Sequence, residues 1–232
     1  MKKSNSPGCG MTRQETLSGL IYMAFQFIFL PSLLYAVNGM LKTPLKESEL
    51  NFLYYFLNFI AMLVLFHDFL GRSGAQIRKH PGLFLEAVIL GLVAYYACFW
   101  LCEKCVDLLM PGFSNRNNTS IEGMFAQSRF LMLIGTVILV PPFEECIFRG
   151  LIFRNLHGKN PALAYIVSIL LFALVHIVGF LPDYSPLEVV LAVLQYLPAG
   201  LCLAWSYTRA QSIFAPILIH AAVNYITVNG LR

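Results

Sequence analysis

Apolar residues in this chain fall in long runs, at residues 17–40, 50–70, 82–101, 130–153, 162–181, 187–207 and 213–228. A helix needs about 20 predominantly apolar residues to cross the hydrocarbon core of a bilayer. Lipid offers no partner for backbone N–H and C=O groups, so a spanning segment must satisfy them internally, as an α-helix does. The pattern therefore predicts an all-α fold, a polytopic transmembrane helix bundle of about seven to eight spans. It forms a single integral membrane domain over residues 1–232. The breaks between runs are short, except for residues 103–128, which read as one long polar loop. That loop holds Asn117-Asn118-Thr119, a glycosylation sequon if the source is eukaryotic and the loop lumenal. The first run starts near Leu17 and no small-x-small cleavage site follows it, so it reads as a retained span. No internal repeat and no low-complexity segment is present.

Composition agrees with the pattern. Hydrophobic residues make up 58% of the 232 and charged residues 12%, and the mean hydropathy is +0.68. A soluble domain carries about 25% charged residues, so a soluble globule and a disordered chain are both excluded. Seven spans at about 20 residues each take roughly 140 positions, which leaves no room for a separate soluble domain. The formal net charge of +4 comes without a basic block, so nucleic acid is not an expected partner. Cys98, Cys102 and Cys105 read as thiols at a helix end, because no second pair or nearby histidine completes a metal or redox motif. Cys9 lies in a Ser/Gly/Pro stretch with no apolar run before it and does not read as a lipoprotein site.

Lys and Arg set the orientation of a multi-pass protein. With the N-terminus inside, the inner segments hold Lys2, Lys3, Arg13, Arg72, Arg78, Lys79, Arg154, Lys159 and Arg209. The outer segments hold Lys42, Lys46, Lys104, Arg116, Arg129 and Arg232. Nine against six favours the N-terminus in and the C-terminus out.

Polar side chains deep in a span are costly, and each is a functional hypothesis. Gln26 and Asn58 are isolated amides of the kind that join neighbouring helices, and Asp68 and Glu86 lie near span ends. The fourth span differs. It contains Pro141-Pro142-Phe143-Glu144-Glu145, followed by Arg149. Adjacent helical residues point about 100° apart. Glu145 and Arg149 are spaced i,i+4, in the favourable order for an ion pair on one face. That pairing leaves Glu144 to face a cavity. The two prolines remove backbone donors just before the carboxylates and open the helix there. A purely architectural Glu–Arg bridge accounts for Glu145 and Arg149 but not for the second carboxylate.

Two further motifs follow: Phe172 to His176 in the fifth span, and His220 to Asn224, i,i+4, in the seventh. At about 1.5 Å of rise per residue, counted from the inner span ends, Glu144 lies ~21 Å up, His176 ~22 Å, His220 ~15 Å and Asn224 ~21 Å. Three separate motifs at one depth predict one buried polar site.

One carboxylate, two imidazoles and a carboxamide can form a hydrolytic site. Glu144 would take a proton from water, with His176 holding that water or sharing the proton. His220 and Asn224 would donate to the oxyanion that forms on an attacked carbonyl. The sequence contains no G-x-S-x-G, no H-E-x-x-H and no Gly-x-Gly-Asp. A zinc site made of Glu144, His176 and His220 is the alternative, since catalytic zinc usually takes three protein ligands. No close His-His spacing favours it, so no cofactor is expected, with zinc possible. A non-catalytic immunity, scaffold or transport protein is a second alternative. A transporter would be expected to show a duplicated half, and none is visible.

E-E-x-x-x-R, F-x-x-x-H and H-x-x-x-N, in that order, resemble the CPBP family of intramembrane proteases, which includes the CAAX prenyl endopeptidases of the Ras-converting type and the Abi proteins. The resemblance rests on Glu144-Glu145 to Arg149, Phe172 to His176 and His220 to Asn224. Pro141, Phe148-Arg149-Gly150 and Ala215-Pro216 fit the same pattern. It covers about Phe130 to Asn224, within a catalytic core at residues 129–228, whereas residues 1–128 carry no signature. It implies a membrane endopeptidase that cleaves near the C-terminus of a membrane-anchored or lipidated peptide or protein, in a bacterial inner membrane or the endoplasmic reticulum. It also implies Glu144 and His176 as activators of water and His220 and Asn224 as transition-state donors. Glu145, Arg149 and Phe172 would support them.

Overall fold

The structure, a computed structural model, describes residues 10–230. Cys9, Lys2, Lys3 and Arg232 lie outside the described residues. Nine helices follow one another among the described residues, with no strand. They are α1 (Arg13–Met40), α2 (Glu47–Leu65), α3 (His67–Lys79), α4 (Pro81–Leu109), α5 (Arg116–Gln127), α6 (Arg129–His157), α7 (Pro161–Asp183), α8 (Pro186–Ala210) and α9 (Phe214–Gly230). Six of them, α1, α2, α4, α6, α7 and α8, are long and apolar enough to cross a membrane. The last predicted span is α9, whose 17 residues stand at the lower limit of the spanning range. The chain is a multi-pass integral membrane bundle.

Most helices start where local chemistry supplies the missing partners of the first turn. Glu15 and Thr12 form a capping box at α1, and Ser185 with Glu188 does the same at α8. Asn115, Ser128 and Asn160 cap α5, α6 and α7 with their side chains. Pro81, Pro161 and Pro186 sit in the first turn, where a missing N–H costs nothing. The turn from α8 to α9 passes through Gln211 in a left-handed conformation at φ 53°.

The structure corrects the sequence reading in two places. The predicted second span does not run on to residue 70. It stops at Phe66, and His67–Lys79 forms a separate amphipathic helix. His67 and Asp68 pair at an exposed position, while Phe69 and Ser73 are buried against the bundle. A polar dipeptide and a one-sided apolar face make an interfacial helix rather than a span. The long loop at residues 103–128 is also largely helical. α4 continues to Leu109 and α5 occupies Arg116–Gln127. Polarity there reflects a helix on the bundle end, because a side-chain cap and one buried face suffice to order it.

α6 is the central element. Of its most apolar stretch 56% is buried by protein, against 11% for α1, so α1 gives its apolar surface to lipid and α6 gives its surface to neighbours. The principal core cluster joins Met62, Phe66 and Phe69 to Phe143, Ile147, Leu151 and Phe153 of α6 and to Tyr207 and Ile213. α7 and α8 cross closely at Gly200, where a Cβ would lie 3.0 Å from the Ile169 Cα. Small residues let membrane helices approach in this way. Gln26 and Asn58 join α1 to α2. Tyr22 donates to Asn58 Oδ1 at 2.7 Å and Tyr54 to Gln26 Oε1 at 3.3 Å. Cys98, Cys102 and Cys105 are free thiols on α4.

Candidate active site

The irregular backbone of α6 frames the site. Two segments of this helix are widened to i→i+5 hydrogen bonding, at Gly135–Leu139 and at Cys146–Phe153. Such π-turns occur frequently at functional sites. Between them lies the turn that carries Glu144 and Glu145. The cause of the first is legible in the chemistry. The Val140 N–H reaches back to the Gly135 carbonyl, and Pro141 has no N–H at all. The Thr136 carbonyl thus loses both donors that a helix could offer it. Asn224 Nδ2 of α9 donates to that carbonyl at 2.8 Å. A buried carbonyl left without a partner costs about 1–3 kcal/mol, so this bond ties α9 to α6 at the level of the site.

Glu145 and Arg149 are both fully buried. Arg149 Nη1 donates to Glu145 Oε1 at 2.9 Å. Arg149 Nη2 donates to the Ala199 carbonyl of α8 at 2.9 Å, and the guanidinium carbon lies 4.5 Å from the centre of the Phe172 ring. Three helices thereby meet on one cation. The same Glu145 Oε1 lies 2.9 Å from His220 Nδ1 of α9. A carboxylate paired with arginine accepts only, so the proton of that contact is on Nδ1. Nε2 of His220 then points to Glu144, whose Oε2 is 4.0 Å away. Oε2 of Glu144 is buried and bonds to no protein atom.

His176 of α7 is oriented by its own preceding turn. Its Nδ1 is 2.7 Å from the Phe172 carbonyl. A carbonyl can only accept, so Nδ1 carries the proton and Nε2 holds the free lone pair. Phe172 thus serves twice, its ring under Arg149 and its carbonyl on His176. The Tyr196 ring of α8 lies against His176 with centroids 4.6 Å apart.

Glu144, His176, His220 and Asn224 all line one cavity of about 780 Å³, together with Phe172 and Thr136. Glu145 and Arg149 stand behind its wall. The same cavity is lined by Tyr54 and Tyr55 of α2, Asn115 and Asn117 at the start of α5, and Tyr196, all outside the three hydrolytic motifs. A cavity of this size fits an extended peptide segment or a drug-sized ligand. It extends to the bundle end where α5 and the α7–α8 connection lie. Asn117, the sequon residue, faces this cavity, and its amide donates to the Tyr196 hydroxyl at 3.0 Å. Among the described residues, no three His, Cys, Asp or Glu side chains gather as a metal-ligand set. Of the zinc ligands weighed from sequence, Glu144 and His220 approach to 4.0 Å, and His176 lines the same cavity.

Comparison with known proteins places the second half of the chain. Residues 126–226 match the family described as type II CAAX prenyl endopeptidase Rce1-like. The UPF0177 protein YbdI of Lactococcus lactis subsp. lactis (strain IL1403) is 26% identical over 63% of this chain and 72% of its own length. YxdF of the same strain, also a UPF0177 protein, is 32% identical over 41% of this chain and 47% of its own length. YdiL of Bacillus subtilis (strain 168), named as a candidate membrane peptidase, is 34% identical over 42% of this chain and 36% of its own length. The chain thus spans less than half the length of the last two relatives. No solved structure gives a significant match. The matched residues hold every motif that meets in the cavity, and over them this chain is similar to the type II CAAX prenyl endopeptidases of the Rce1-like family.

Proposed function

We propose that this protein is an intramembrane endopeptidase that hydrolyses a peptide bond near the C-terminus of a membrane-associated substrate, without a metal ion. The observation that carries the reading is the Glu144 carboxylate. Its Oε2 is buried without a protein partner and lies 4.0 Å from His220 Nε2, and the residue lines a large cavity. A carboxylate so placed can bind a water and take its proton. His176, with its lone pair on Nε2, holds the same water from α7.

The hydroxide formed adds to the scissile carbonyl, and Glu144 returns the proton to the leaving amine. The negative oxygen then needs donors already in place. Asn224 has a second amide hydrogen beyond the one given to Thr136. His220 spends its Nδ1 proton on Glu145, so it donates from Nε2 only as the imidazolium. Glu145 stands beside that cation, and Arg149 prevents Glu145 from taking the proton in full. The adjacent carboxylates thus take different roles, Glu144 on the substrate side and Glu145 on the histidine side.

A prenylated substrate with a C-terminal CAAX-type tail is the class that the family description names, and a cavity walled by Phe27, Leu34, Phe99 and Phe180 accepts an apolar chain. The matched relatives come from bacteria, so the plasma membrane of a bacterium is the proposed location. Glu144→Ala should abolish cleavage while the protein remains folded in detergent. The measurement is the set of membrane-protein C-termini in cells expressing wild type or variant. Uncut tails should accumulate with the variant, and identical C-termini in both would overturn the reading. Cleavage by purified, metal-analysed protein should withstand a chelator, and loss that zinc restores would favour the metal alternative.

A further inference from the structure

The hydrolytic reading leaves one requirement without an assigned residue. His176 serves only while its Nε2 lone pair faces Glu144, and imidazole rings rotate readily about χ2. One bond opposes this, from Nδ1 to the Phe172 carbonyl at 2.7 Å. Two aromatic rings flank the imidazole, Phe172 at 4.7 Å and Tyr196 at 4.6 Å between centroids. Phe172 is already committed to Arg149 and lies one turn away on the same helix. Tyr196 comes from α8, and its ring is tilted 30° to the imidazole.

Tyr196 is itself held from a distant part of the chain. Asn117 Nδ2 donates to its hydroxyl at 3.0 Å. The neighbouring Asn115, buried at the cap of α5, donates to Gln195 Oε1 at 3.1 Å, and Gln195 Nε2 donates to Glu103 Oε1 at 2.9 Å. Two consecutive residues of α8 are thus hooked by two amides from the start of α5. A tyrosine that merely filled space would need no such anchoring of its hydroxyl from a polar helix on the bundle end.

We propose that Tyr196 is a positioning residue of the hydrolytic site, holding the His176 ring in the tautomer and orientation that direct Nε2 at Glu144, and that Asn117 locks Tyr196 in turn. The assignment rests on the hydrolytic reading above. It gives α5, which carries no catalytic motif, a role in the chemistry. A displaced α5 releases the phenol and with it the imidazole.

The test is nitrogen NMR of the full chain, labelled with ¹⁵N-histidine, in detergent micelles. His176→Ala assigns the signal. The wild type should show His176 as one tautomer with the proton on Nδ1. Tyr196→Phe keeps the ring but loses the hydroxyl that Asn117 holds, and should broaden the signal only as far as Asn117→Ala does. Tyr196→Leu removes the ring and should give mixed tautomers with exchange broadening. Processing of the C-termini trimmed by wild type should slow about 10–100-fold, the order expected when a catalytic group is displaced by about 1 Å. Asn117→Ala, which leaves the core intact, should broaden the same signal to a lesser degree, and it serves alone if Tyr196→Leu does not fold. A His176 spectrum unchanged in Tyr196→Leu, or in Asn117→Ala if only that variant folds, overturns the assignment. If His176→Ala itself processes substrate as wild type does, the hydrolytic reading falls instead.

Discussion

Two of the acid–arginine pairs in this bundle stand in opposite surroundings. Glu145–Arg149 lies in the middle of α6 with both side chains at 0% exposure. Glu86–Arg209 joins α4 to α8 near the bundle end with side chains 38% and 41% exposed. The exposed pair is the shorter, at 2.6 Å with Arg209 on both carboxylate oxygens. Contact distance is therefore a poor guide to importance. At the rim, water and headgroups solvate both ions whether or not they meet. In the core neither ion has a substitute, so each of their remaining bonds carries information. Arg149 reaches Ala199 and the Phe172 ring, and Glu145 reaches His220. The buried pair fixes the relative position of α6, α7, α8 and α9, whereas the exposed pair fixes only two helix ends.

The comparison can be broken most directly at Arg149. Arg149→Ala leaves the Glu145 charge buried without its partner, at a cost of about 3–5 kcal/mol. Thermal unfolding in detergent should show a large loss of stability or no folded protein. Survival of the fold at wild-type stability would mean that the pair does not organise the core. A somewhat smaller effect is expected at Asn224. Asn224→Ala removes one of the proposed oxyanion donors, worth about 10²–10³-fold in turnover. It also orphans the Thr136 carbonyl, so stability should fall by about 1–3 kcal/mol. Turnover should fall more than substrate affinity does, and an effect on affinity alone would place Asn224 in binding. The smallest change belongs to the rim. Glu86→Gln should alter stability by less than about 1 kcal/mol, the range of solvent-exposed pairs, with processing unchanged. A loss there comparable to that of Arg149→Ala would erase the distinction between the two pairs.

The order of the helices was legible because lipid enforces a simple rule, and each of the seven predicted runs corresponds to a helix. Misreading came where that rule does not operate. Residues 103–128 are polar and still hold α5, because Asn115 caps the helix and Met124 anchors its buried face. The break at Phe66 was missed because apolar residues continue on its far side as Phe69 and Leu70, while the polar His67 and Asp68 between them turn the chain. Of the site, the four motif residues were visible because glutamate, histidine and asparagine are conspicuous inside apolar helices. Tyr196 and Thr136 were not. A tyrosine in a membrane helix is common, and the importance of Thr136 lies in a backbone carbonyl. Pro141 implied that some carbonyl near it would lack a donor, but not which side chain would supply one.

By itself, then, the sequence determined that this chain crosses a membrane several times, and which side chains are too polar to lie in its spans without a purpose. Those are local matters, set by the cost of transferring each residue to lipid and by the spacing of residues along a helix. Only the tertiary structure decided that Glu145 takes His220 as well as Arg149, that Asn224 is bound to Thr136, and that α5 is linked through Asn117 and Tyr196 to His176. Those partners lie 75, 88 and 79 residues apart. Which of them meet depends on how whole helices pack, and that packing is settled by the summed fit of many side chains rather than by any one of them.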